Sequence, residues 1–194
     1  MKLIIASNNQ GKIREYKEIL EPLGFEVVSQ KEAGVMLEPD ETGTTFAENA
    51  AIKAKAIFEM VNCAVLADDS GLCVDALGGE PGVYSARYGG LQTSDERSEL
   101  LLSKLENVPD KNRTAHFVCN IHMILNDGRE IIAEGKCSGK IGHEFKGSNG
   151  FGYDPIFMYG DKSFAEISSD EKNRISHRAA ALNDLIQKLK ESNI

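Results

Sequence analysis

Leu66-Ala67-Asp68-Asp69-Ser70-Gly71 joins an apolar run to two adjacent carboxylates. Together with Ala64 and the valine after it, the apolar residues predict a buried strand that ends where the acids begin. In open α/β sheets, ligands collect at the carboxyl ends of strands, so acids at this position can hold a divalent cation or activate a water molecule. The alternative interpretation is that the two acids begin a turn, which the following serine and glycine close.

A second strand-to-helix junction is predicted at the N-terminus. Lys2-Leu3-Ile4-Ile5-Ala6 has the pattern of a strand, and apolar residues from Ile13 to Leu20 recur at helical spacing. The loop between them is Ser7-Asn8-Asn9-Gln10-Gly11-Lys12, whose backbone N–H groups and lysine suit a phosphate. It has neither the Walker A spacing nor the three glycines of a dinucleotide fingerprint, so a plain capped turn is the alternative.

Length and composition indicate one globular domain, residues 1–194, because 194 residues with 41% hydrophobic content can bury a single core. The net charge of -8 argues against a nucleic-acid polymer or an anionic membrane as the main partner. The four cysteines show no CxxC spacing, which is typical of reduced thiols. The absence of an apolar run as long as a signal peptide or a membrane span favours a soluble, cytoplasmic protein.

Periodicity along the chain predicts alternating helices and strands. Capping-box pairs predict helices that begin after Thr45, Thr93 and Ser168. Residues 113–125 alternate apolar and polar side chains, and Asn126-Asp127-Gly128 turns this strand back into residues 129–134. The fold is therefore predicted to be α/β, with a long hairpin inserted among βα elements in a mixed sheet.

Two polar segments late in the chain are candidate ligand sites. In Ser148-Asn149-Gly150-Phe151-Gly152-Tyr153-Asp154-Pro155, glycines beside an aromatic ring would let a planar ligand lie on Phe151 or Tyr153. The alternative is an irregular loop whose Phe151 fills the core. Ser176-His177-Arg178 lies near the start of the last helix, where cations are unfavourable for the helix and a binding role would explain them.

Lys172 precedes this segment and is predicted to point to the same place, the alternative being a solvated surface lysine. The other three histidines, His116, His122 and His143, lack metal-ligand spacing and are expected on the hairpin surface or in a loop.

Taken together, these segments resemble the inosine triphosphate pyrophosphatases, also called dITP/XTP pyrophosphatases, and in particular the bacterial branch of that family. The resemblance covers essentially the whole chain and is carried by six segments that occur in order. They are residues 7–12, Thr45-Phe46-Ala47-Glu48-Asn49-Ala50 with Lys53, residues 67–72, residues 76–88, Gly150-Phe151-Gly152-Tyr153-Asp154-Pro155, and Glu171-Lys172-Asn173-Arg174-Ile175-Ser176-His177-Arg178.

The resemblance implies a homodimeric, Mg²⁺-dependent enzyme with an elongated mixed sheet and flanking helices, which form two lobes with the nucleotide in a central cleft. Its reaction would be hydrolysis of ITP, dITP and XTP to the nucleoside monophosphate and pyrophosphate. This activity removes deaminated purines from the nucleotide pool.

The resemblance also implies roles for individual residues. Asp69 would be the catalytic carboxylate and a magnesium ligand, with Glu41 as the second ligand and Asp40 as the next choice in the acidic loop. The triphosphate would be bound by Ser7, Asn8, Asn9, Gln10, Gly11 and Lys12, with Lys53. Ser70 would also bind the substrate. The base and sugar would be bound by Phe151, Gly152, Tyr153, Asp154, Lys172, His177 and Arg178.

Two other functions fit parts of the same pattern. A Maf-like nucleotide pyrophosphatase would share the general architecture and recognise different bases. A nucleotide-binding regulatory module would use the pocket without turnover, but three acids in one loop and the adjacent Asp68 and Asp69 would repel an anion. A haloacid-dehalogenase phosphatase would need Asp-x-Asp, whereas here the two acids are adjacent.

Overall fold

A computed structural model of the chain describes residues 1–192. Its strands are β1 (Lys2–Ile5), β2 (Glu26–Ser29), β3 (Ala64–Val74), β4 (Thr114–Ile124), β5 (Glu130–Ile141), β6 (Phe157–Tyr159) and β7 (Lys162–Ser163). Its α-helices are α1 (Gln10–Leu20), α2 (Phe46–Phe58), α3 (Ser94–Lys104), α4 (Ser169–Ile175) and α5 (His177–Glu191). Short 3₁₀ segments lie at Glu21–Leu23, Asp75–Leu77, Gly82–Gly90 and Asp110–Asn112.

The seven strands form one mixed sheet in the order β2-β1-β3-β4-β5-β6-β7. β1 runs parallel to both β2 and β3, whereas β6 runs antiparallel to both β5 and β7. The predicted α/β fold with a mixed sheet and flanking helices is therefore confirmed.

The chain forms two compact units. Unit 1 comprises residues 1–69, residues 119–135 and the described part of the chain from Arg178. Unit 2 comprises residues 70–118 and 136–177. Each unit has a buried apolar core of its own.

In unit 1, apolar residues cover both faces of the parallel strands. Leu3 and Ile5 of β1 belong to one core cluster, together with residues of α1 and α5. Ile4 and Ala6 belong to a second cluster, together with Ala54 and Ile57 of α2. Because successive strand side chains point to opposite faces, a strand covered on both sides has to be apolar throughout. This explains the uninterrupted apolar run at the N-terminus.

The core of unit 2 is built around aromatic rings. The ring centroid of Phe157 lies 4.6 Å from that of Phe117 and 4.8 Å from that of Phe164. Leu101 and Leu105 of the α3 region are fully buried in the same cluster. These tilted and edge-on arrangements are the ones that aromatic pairs prefer.

Hydrogen bonds at the helix starts confirm the predictions from capping pairs. Thr45 and Thr93 each accept from the backbone of a glutamate three residues later, and each glutamate accepts from the threonine's backbone, which completes a capping box. Ser168 caps α4 by accepting from the backbone N–H of Glu171. The predicted start of the last long helix at residues 176–178 is also confirmed.

Two predictions about strands are wrong. β3 does not end at Ala67 but continues through Asp68 and Asp69 to Val74, so neither a strand end nor a turn lies at the two acids. β4 is buried on both faces over most of its length, since it lies between β3 and β5 inside the sheet. His122 is therefore buried rather than on the hairpin surface, and its Nε2 lies 2.7 Å from Glu130 Oε2.

Candidate active site

The two adjacent acids of β3 lie just beyond the point where its neighbour β1 ends. Ile5 of β1 pairs with Leu66 of β3, and the backbone N–H of Ala6 donates to the carbonyl of Leu66 at 2.8 Å. β1 ends there and is followed by the loop that leads into α1, while β3 continues to Asp68 and Asp69. The acids therefore lie at the carboxyl end of β1, which is the usual position of a ligand site in such sheets.

Asp68 is buried among groups that stabilise its charge. Its Oδ2 lies 2.8 Å from Lys12 Nζ and 3.8 Å from Arg178 Nη2. The thiol of Cys119 also approaches this oxygen, at 3.8 Å. Burial alone would raise the pKa of Asp68, but the charges of Lys12, Arg178 and Lys53 together hold it well below its usual range. These cations therefore favour the ionised form of Asp68.

The segment Ser7–Lys12 forms the N-terminus of α1. Asn9 is the N-cap, and its side chain accepts from the backbone N–H of Lys12 at 3.1 Å. Ser7 Oγ accepts from the backbone N–H of Asn9 at 3.1 Å. The capped-turn interpretation is thus confirmed, and it is compatible with phosphate binding, since the helix N-terminus presents N–H groups and a partial positive charge.

Asp69 is held by residues of α2. Asn49 Nδ2 donates to Asp69 Oδ2 at 3.1 Å, and Lys53 Nζ lies 3.7 Å from Asp69 Oδ1. Burial raises the pKa of Asp69, although Lys53 and Lys12 act in the opposite direction. The pKa values of the two adjacent carboxyl groups are therefore shifted in opposite directions, because Asp68 has more cationic partners.

The acidic loop, residues 38–43, reaches the same place through Glu41. Glu41 Oε1 lies 2.8 Å from Lys53 Nζ, so one ammonium group contacts both Glu41 and Asp69. Glu38 instead accepts from Asn8 Nδ2 at 2.7 Å. Asp40 accepts a backbone hydrogen bond from Thr42 at 3.0 Å. Of the acids in this loop, the structure thus brings Glu41 to Asp69.

The donor set fits a magnesium ion. Within residues 1–192, no three His, Cys, Asp or Glu side chains are grouped as a metal site. Mg²⁺ in enzymes of phosphate chemistry is usually bound by one or two carboxylates together with substrate phosphates and water, rather than by a protein cage. Glu41 and Asp69, which both contact Lys53, supply that number of carboxylates.

In unit 2, Phe151, Asp154 and Lys172 form a second polar cluster. Lys172 Nζ lies 2.6 Å from Asp154 Oδ2 and 4.6 Å from the centre of the Phe151 ring. Asp154 Oδ2 also accepts from the backbone N–H of Phe151 at 2.8 Å. Phe151 is only partly buried and is not part of the core cluster of unit 2, so the interpretation that it fills the core is wrong. Lys172 is buried and ion-paired rather than a solvated surface lysine.

Gly150 and Gly152 give this segment its shape. Both have positive φ, at 75° and 63°. A Cβ at Gly150 would lie 2.0 Å from Asp154 Oδ2. Only glycine therefore lets the backbone pass so close to the carboxylate.

Two further predicted residues of unit 2 pack against its core. The His177 ring stacks on Phe117, with ring centroids 4.7 Å apart and planes at 16°. Tyr153 is buried, and its hydroxyl donates to the backbone carbonyl of Ser85 at 2.9 Å. The buried side chain of Tyr153 therefore anchors the segment that contains Gly150 and Gly152 to the core of unit 2.

Arg178 is predicted to bind the base and sugar together with His177, and this role stays a prediction. It belongs to unit 1, where its guanidinium forms an ion pair with the buried carboxylate of Glu15 and lies 5.7 Å from the Tyr16 ring. Arg178 therefore contacts Asp68, whereas its neighbour His177 contacts Phe117. Ser70 follows Asp69 in β3 and is partly buried.

No sequence pattern predicts a role for Asn49, Glu15 or Ser85. Each is a buried polar residue that contacts a site residue: Asn49 contacts Asp69, Glu15 contacts Arg178, and Ser85 contacts Tyr153. A usable signal existed for Asn49, which stands directly before Ala50 on the buried stripe of α2, where an apolar residue is expected. Glu15 stands likewise between Ile13 and Tyr16 on the buried side of α1.

The chain is similar to known proteins over nearly its whole length. The dITP/XTP pyrophosphatase of Bacillus subtilis (strain 168) is 51% identical over 185 residues, which cover 94% of this chain and 93% of that protein. The dITP/XTP pyrophosphatase of Haemophilus ducreyi is 48% identical over 186 residues, covering 93% of this chain and 94% of that protein.

Solved structures share the fold of this chain. The Staphylococcus aureus Ham1 protein superposes with a TM-score of 0.86 at 44% identity, covering 100% of both chains. A HAM1 protein from Coxiella burnetii gives a TM-score of 0.87 at 40% identity, covering 98% of this chain and 99% of that one. The resemblance to the dITP/XTP pyrophosphatases is confirmed, and residues 3–188 match the Ham1 family, to which this chain belongs.

Proposed function

We propose that this protein hydrolyses the non-canonical purine nucleoside triphosphates ITP, dITP and XTP to the nucleoside monophosphate and pyrophosphate. The observation that carries the proposal is the match, over nearly the whole chain, to relatives named dITP/XTP pyrophosphatase. Lys12, Lys53, Asp68, Asp69 and Glu41 provide the cations and carboxylates that this chemistry needs.

The residues of unit 1 act on the phosphates. The N–H groups at the start of α1 and the ammonium groups of Lys12 and Lys53 attract the triphosphate and offset the charge of the departing pyrophosphate. Because little covalent work is required of the protein in this chemistry, positioning and electrostatics supply most of the rate.

We include Mg²⁺ in the proposal, with Glu41 and Asp69 as its protein ligands and Asp40 as a reserve. When bound, the ion would neutralise phosphate charge and make a water molecule more acidic. Asp69 also orients the water that attacks the α-phosphorus. Asp68 keeps its charge and holds Lys12 in place.

The residues of unit 2 act on the base. Phe151 is a partly buried aromatic residue on which a purine would stack, and Lys172 and Asp154 hold that segment. Hypoxanthine and xanthine carry a carbonyl at position 6 where adenine carries an amino group. Hydrogen-bond donors near this position, among them His177, Arg178 or backbone N–H groups, would leave adenine with unpaired polar groups and so reject it.

We also propose that the protein works as a cytoplasmic homodimer, as the family resemblance implies. All four cysteines are free thiols, as expected in a reducing compartment. Among residues 1–192, the structure contains no helix that is both long enough and apolar enough to cross a membrane. Light scattering coupled to gel filtration would test the dimer.

A nucleotide panel tests the reaction. The purified protein is incubated with ITP, XTP, GTP, ATP and dUTP in the presence of Mg²⁺, and pyrophosphate and orthophosphate are measured separately. We expect ITP and XTP to be consumed with release of pyrophosphate, and ATP to be left largely intact. Release of orthophosphate, preference for a pyrimidine, or binding without turnover would each contradict the proposal.

Asp69→Asn supplies the matched control for the chemistry. This variant should lose turnover, because an amide cannot orient the water as a carboxylate does, but it should still bind nucleotide measurably by calorimetry. Near-normal turnover in the variant would refute the catalytic role of Asp69.

A further inference from the structure

Asn49 is a fully buried amide, with 0% of its surface exposed, on the face of α2 that meets β3. A buried amide costs free energy unless its donors and acceptors are paired. Both ends of this side chain are paired. Nδ2 donates to Asp69 Oδ2 at 3.1 Å, and Oδ1 accepts from the backbone N–H of Gly43 at 2.9 Å.

The orientation of this amide is fixed by its partners. The backbone N–H of Gly43 can only donate and an ionised Asp69 can only accept, so the amide oxygen has to face Gly43 and the amide nitrogen has to face Asp69. Asn49 therefore links the carboxylate of Asp69 to the acidic loop at a point two residues after Glu41.

Gly43 shows how closely the loop is fitted to this amide. A Cβ built on Gly43 would lie 2.7 Å from Asn49 Oδ1 and 2.7 Å from Glu48 Cβ. It would also lie 3.0 Å from the backbone nitrogen of Asn49, and neither this nitrogen nor Glu48 Cβ can shift without moving the first turns of α2. Any larger residue would push the loop away from Asn49.

The next two residues of the loop are attached to the same helix. The backbone N–H groups of Thr44 and Thr45 donate to Glu48 Oε2 at 2.7 and 3.1 Å. Three consecutive N–H groups, from Gly43 to Thr45, are thus bound by side chains of α2. The end of the acidic loop is therefore held against α2, and Lys53 of the same helix binds Glu41.

We propose that Asn49 is a positioning residue that sets the separation of Asp69 and Glu41. By bonding Asp69 Oδ2, it fixes the rotation of that carboxylate, and Oδ1 is the oxygen that lies nearest Lys53. By bonding Gly43, it fixes where Glu41 arrives. The inference rests on the proposed function, in which these two carboxylates bind Mg²⁺, and it assigns to Asn49 a role outside the ligand set.

Removal of such a supporting hydrogen bond typically costs 10- to 100-fold in metal affinity or activity. For Asn49→Ala we therefore expect the affinity for Mg²⁺, measured by calorimetry without nucleotide, to fall by about tenfold or more. We expect kcat for ITP to fall by a similar factor, with KM for ITP changed less than threefold, because base recognition is untouched.

Gln30→Leu is the matched control. Gln30 is also a buried amide of unit 1, and its Nε2 donates to the carbonyl of Leu37 at 2.9 Å, just before the acidic loop. A purely structural role for Asn49 predicts that both variants lose thermal stability and that neither changes Mg²⁺ affinity. The positioning role predicts a change in Mg²⁺ affinity for Asn49→Ala alone.

A second variant disturbs the hydrogen bond between Gly43 and Asn49 by changing the loop residue. Gly43→Ala keeps Asn49 but places a methyl carbon only 2.7 Å from its amide oxygen, so it should reproduce the loss of Mg²⁺ affinity. This variant carries the test if Asn49→Ala does not fold.

A folded Asn49→Ala or Gly43→Ala protein whose Mg²⁺ affinity and kcat both stay within twofold of wild type would overturn the inference. If wild-type protein fails to hydrolyse ITP, the proposed function fails. The Mg²⁺ titrations of the variants still decide the role of Asn49 in that case.

Discussion

Lys12 Nζ lies 2.8 Å from Asp68 Oδ2, and Arg178 Nη2 approaches the same oxygen at 3.8 Å. The side chain of Asp68 has no exposed surface and that of Arg178 has 1%. One buried carboxylate thus compensates two cations, one from α1 and one from α5. Asp69, the next residue, faces Asn49 and Lys53 of α2 instead. The two adjacent acids therefore have different tasks.

We predict that Asp68→Asn destabilises the fold more than Asp69→Asn does. Removing the charge of Asp68 leaves Lys12 and Arg178 without their shared partner, and breaking a buried ion pair costs about 3–5 kcal/mol. Urea unfolding monitored by circular dichroism should show this loss for Asp68→Asn and less than half of it for Asp69→Asn. Equal losses in the two variants would contradict the division of tasks.

A second prediction concerns Arg178. Arg178→Met leaves the buried carboxylates of Glu15 and Asp68 without a common cation, so the free energy of unfolding should fall by about 3–5 kcal/mol. Adding Glu15→Leu should recover part of this loss, because one uncompensated charge is removed. If Arg178 also recognises the base, as predicted, Arg178→Met would in addition change the ratio of kcat/KM for ITP over ATP.

The helix starts could be predicted from sequence because their signals are local. A threonine or serine and a glutamate three residues later make bonds within one turn, so Thr45, Thr93 and Ser168 mark the helix starts without knowledge of the rest of the fold. The mixed sheet followed from strand periodicity and from the hairpin turn after residue 125 in the same way.

The extent of β3 could not be predicted, because tertiary partners decide it. Two adjacent acids normally end a buried strand, since a buried charge without a partner is very costly. Here Lys12, Lys53 and Arg178 come from three helices that are distant in sequence, and they make burial of the acids tolerable.

The packing partners of Arg178 could not be predicted from sequence, for a geometric reason. Residues 176–178 form one segment of the sequence at the start of α5. Successive residues of a helix point about 100° apart, so neighbours at a helix start usually contact different partners. His177 accordingly stacks on Phe117, whereas Arg178 pairs with Glu15.

A third prediction uses the pH dependence of stability. The backbone N–H and hydroxyl of Ser29, together with Lys17, lower the pKa of Glu32 from 4.5 to about 2. A lowered folded-state pKa stabilises the protein above the unfolded-state pKa, and this contribution disappears as the pH falls through the folded value. The Tm of wild type should therefore exceed that of Glu32→Gln at pH 7, and the difference should shrink between about pH 4.5 and pH 2.

Glu26→Gln is the control for this titration, since Glu26 is an exposed glutamate on β2 in the same unit. It measures the general effect of removing one exposed carboxylate at each pH. A Tm difference between wild type and Glu32→Gln that does not shrink relative to this control would show that Ser29 does not stabilise the charged form.

A fourth prediction tests base stacking on Phe151. Stacking of a base on an aromatic side chain is worth about 1–3 kcal/mol by alanine substitution, so Phe151→Ala should raise KM for ITP by about 5- to 150-fold. Phe145 is an exposed aromatic residue of the same unit, and Phe145→Ala should leave KM within twofold. Steady-state kinetics with ITP at saturating Mg²⁺ measures both. An unchanged KM in Phe151→Ala would exclude stacking on this ring.

The last prediction concerns the hydroxyl of Tyr153, two residues after Phe151. It donates to the carbonyl of Ser85, whose own hydroxyl accepts from the backbone N–H of Leu72 in β3 at 2.9 Å. Tyr153→Phe removes one buried hydrogen bond, worth about 0.5–1.5 kcal/mol, and frees the Phe151 segment to shift. We expect KM for ITP to rise about three- to tenfold with kcat nearly unchanged.

Tyr88→Phe is its matched control, because Tyr88 is a buried tyrosine of the same unit whose hydroxyl donates to Glu80 Oε2 at 2.7 Å. Both variants lose one hydroxyl hydrogen bond and should lose similar thermal stability, but the Tyr88 bond lies outside the segment that carries Phe151. Only Tyr153→Phe should therefore change KM. Equal changes of KM in the two variants would mean that the Tyr153 hydroxyl stabilises unit 2 in general and does not position Phe151.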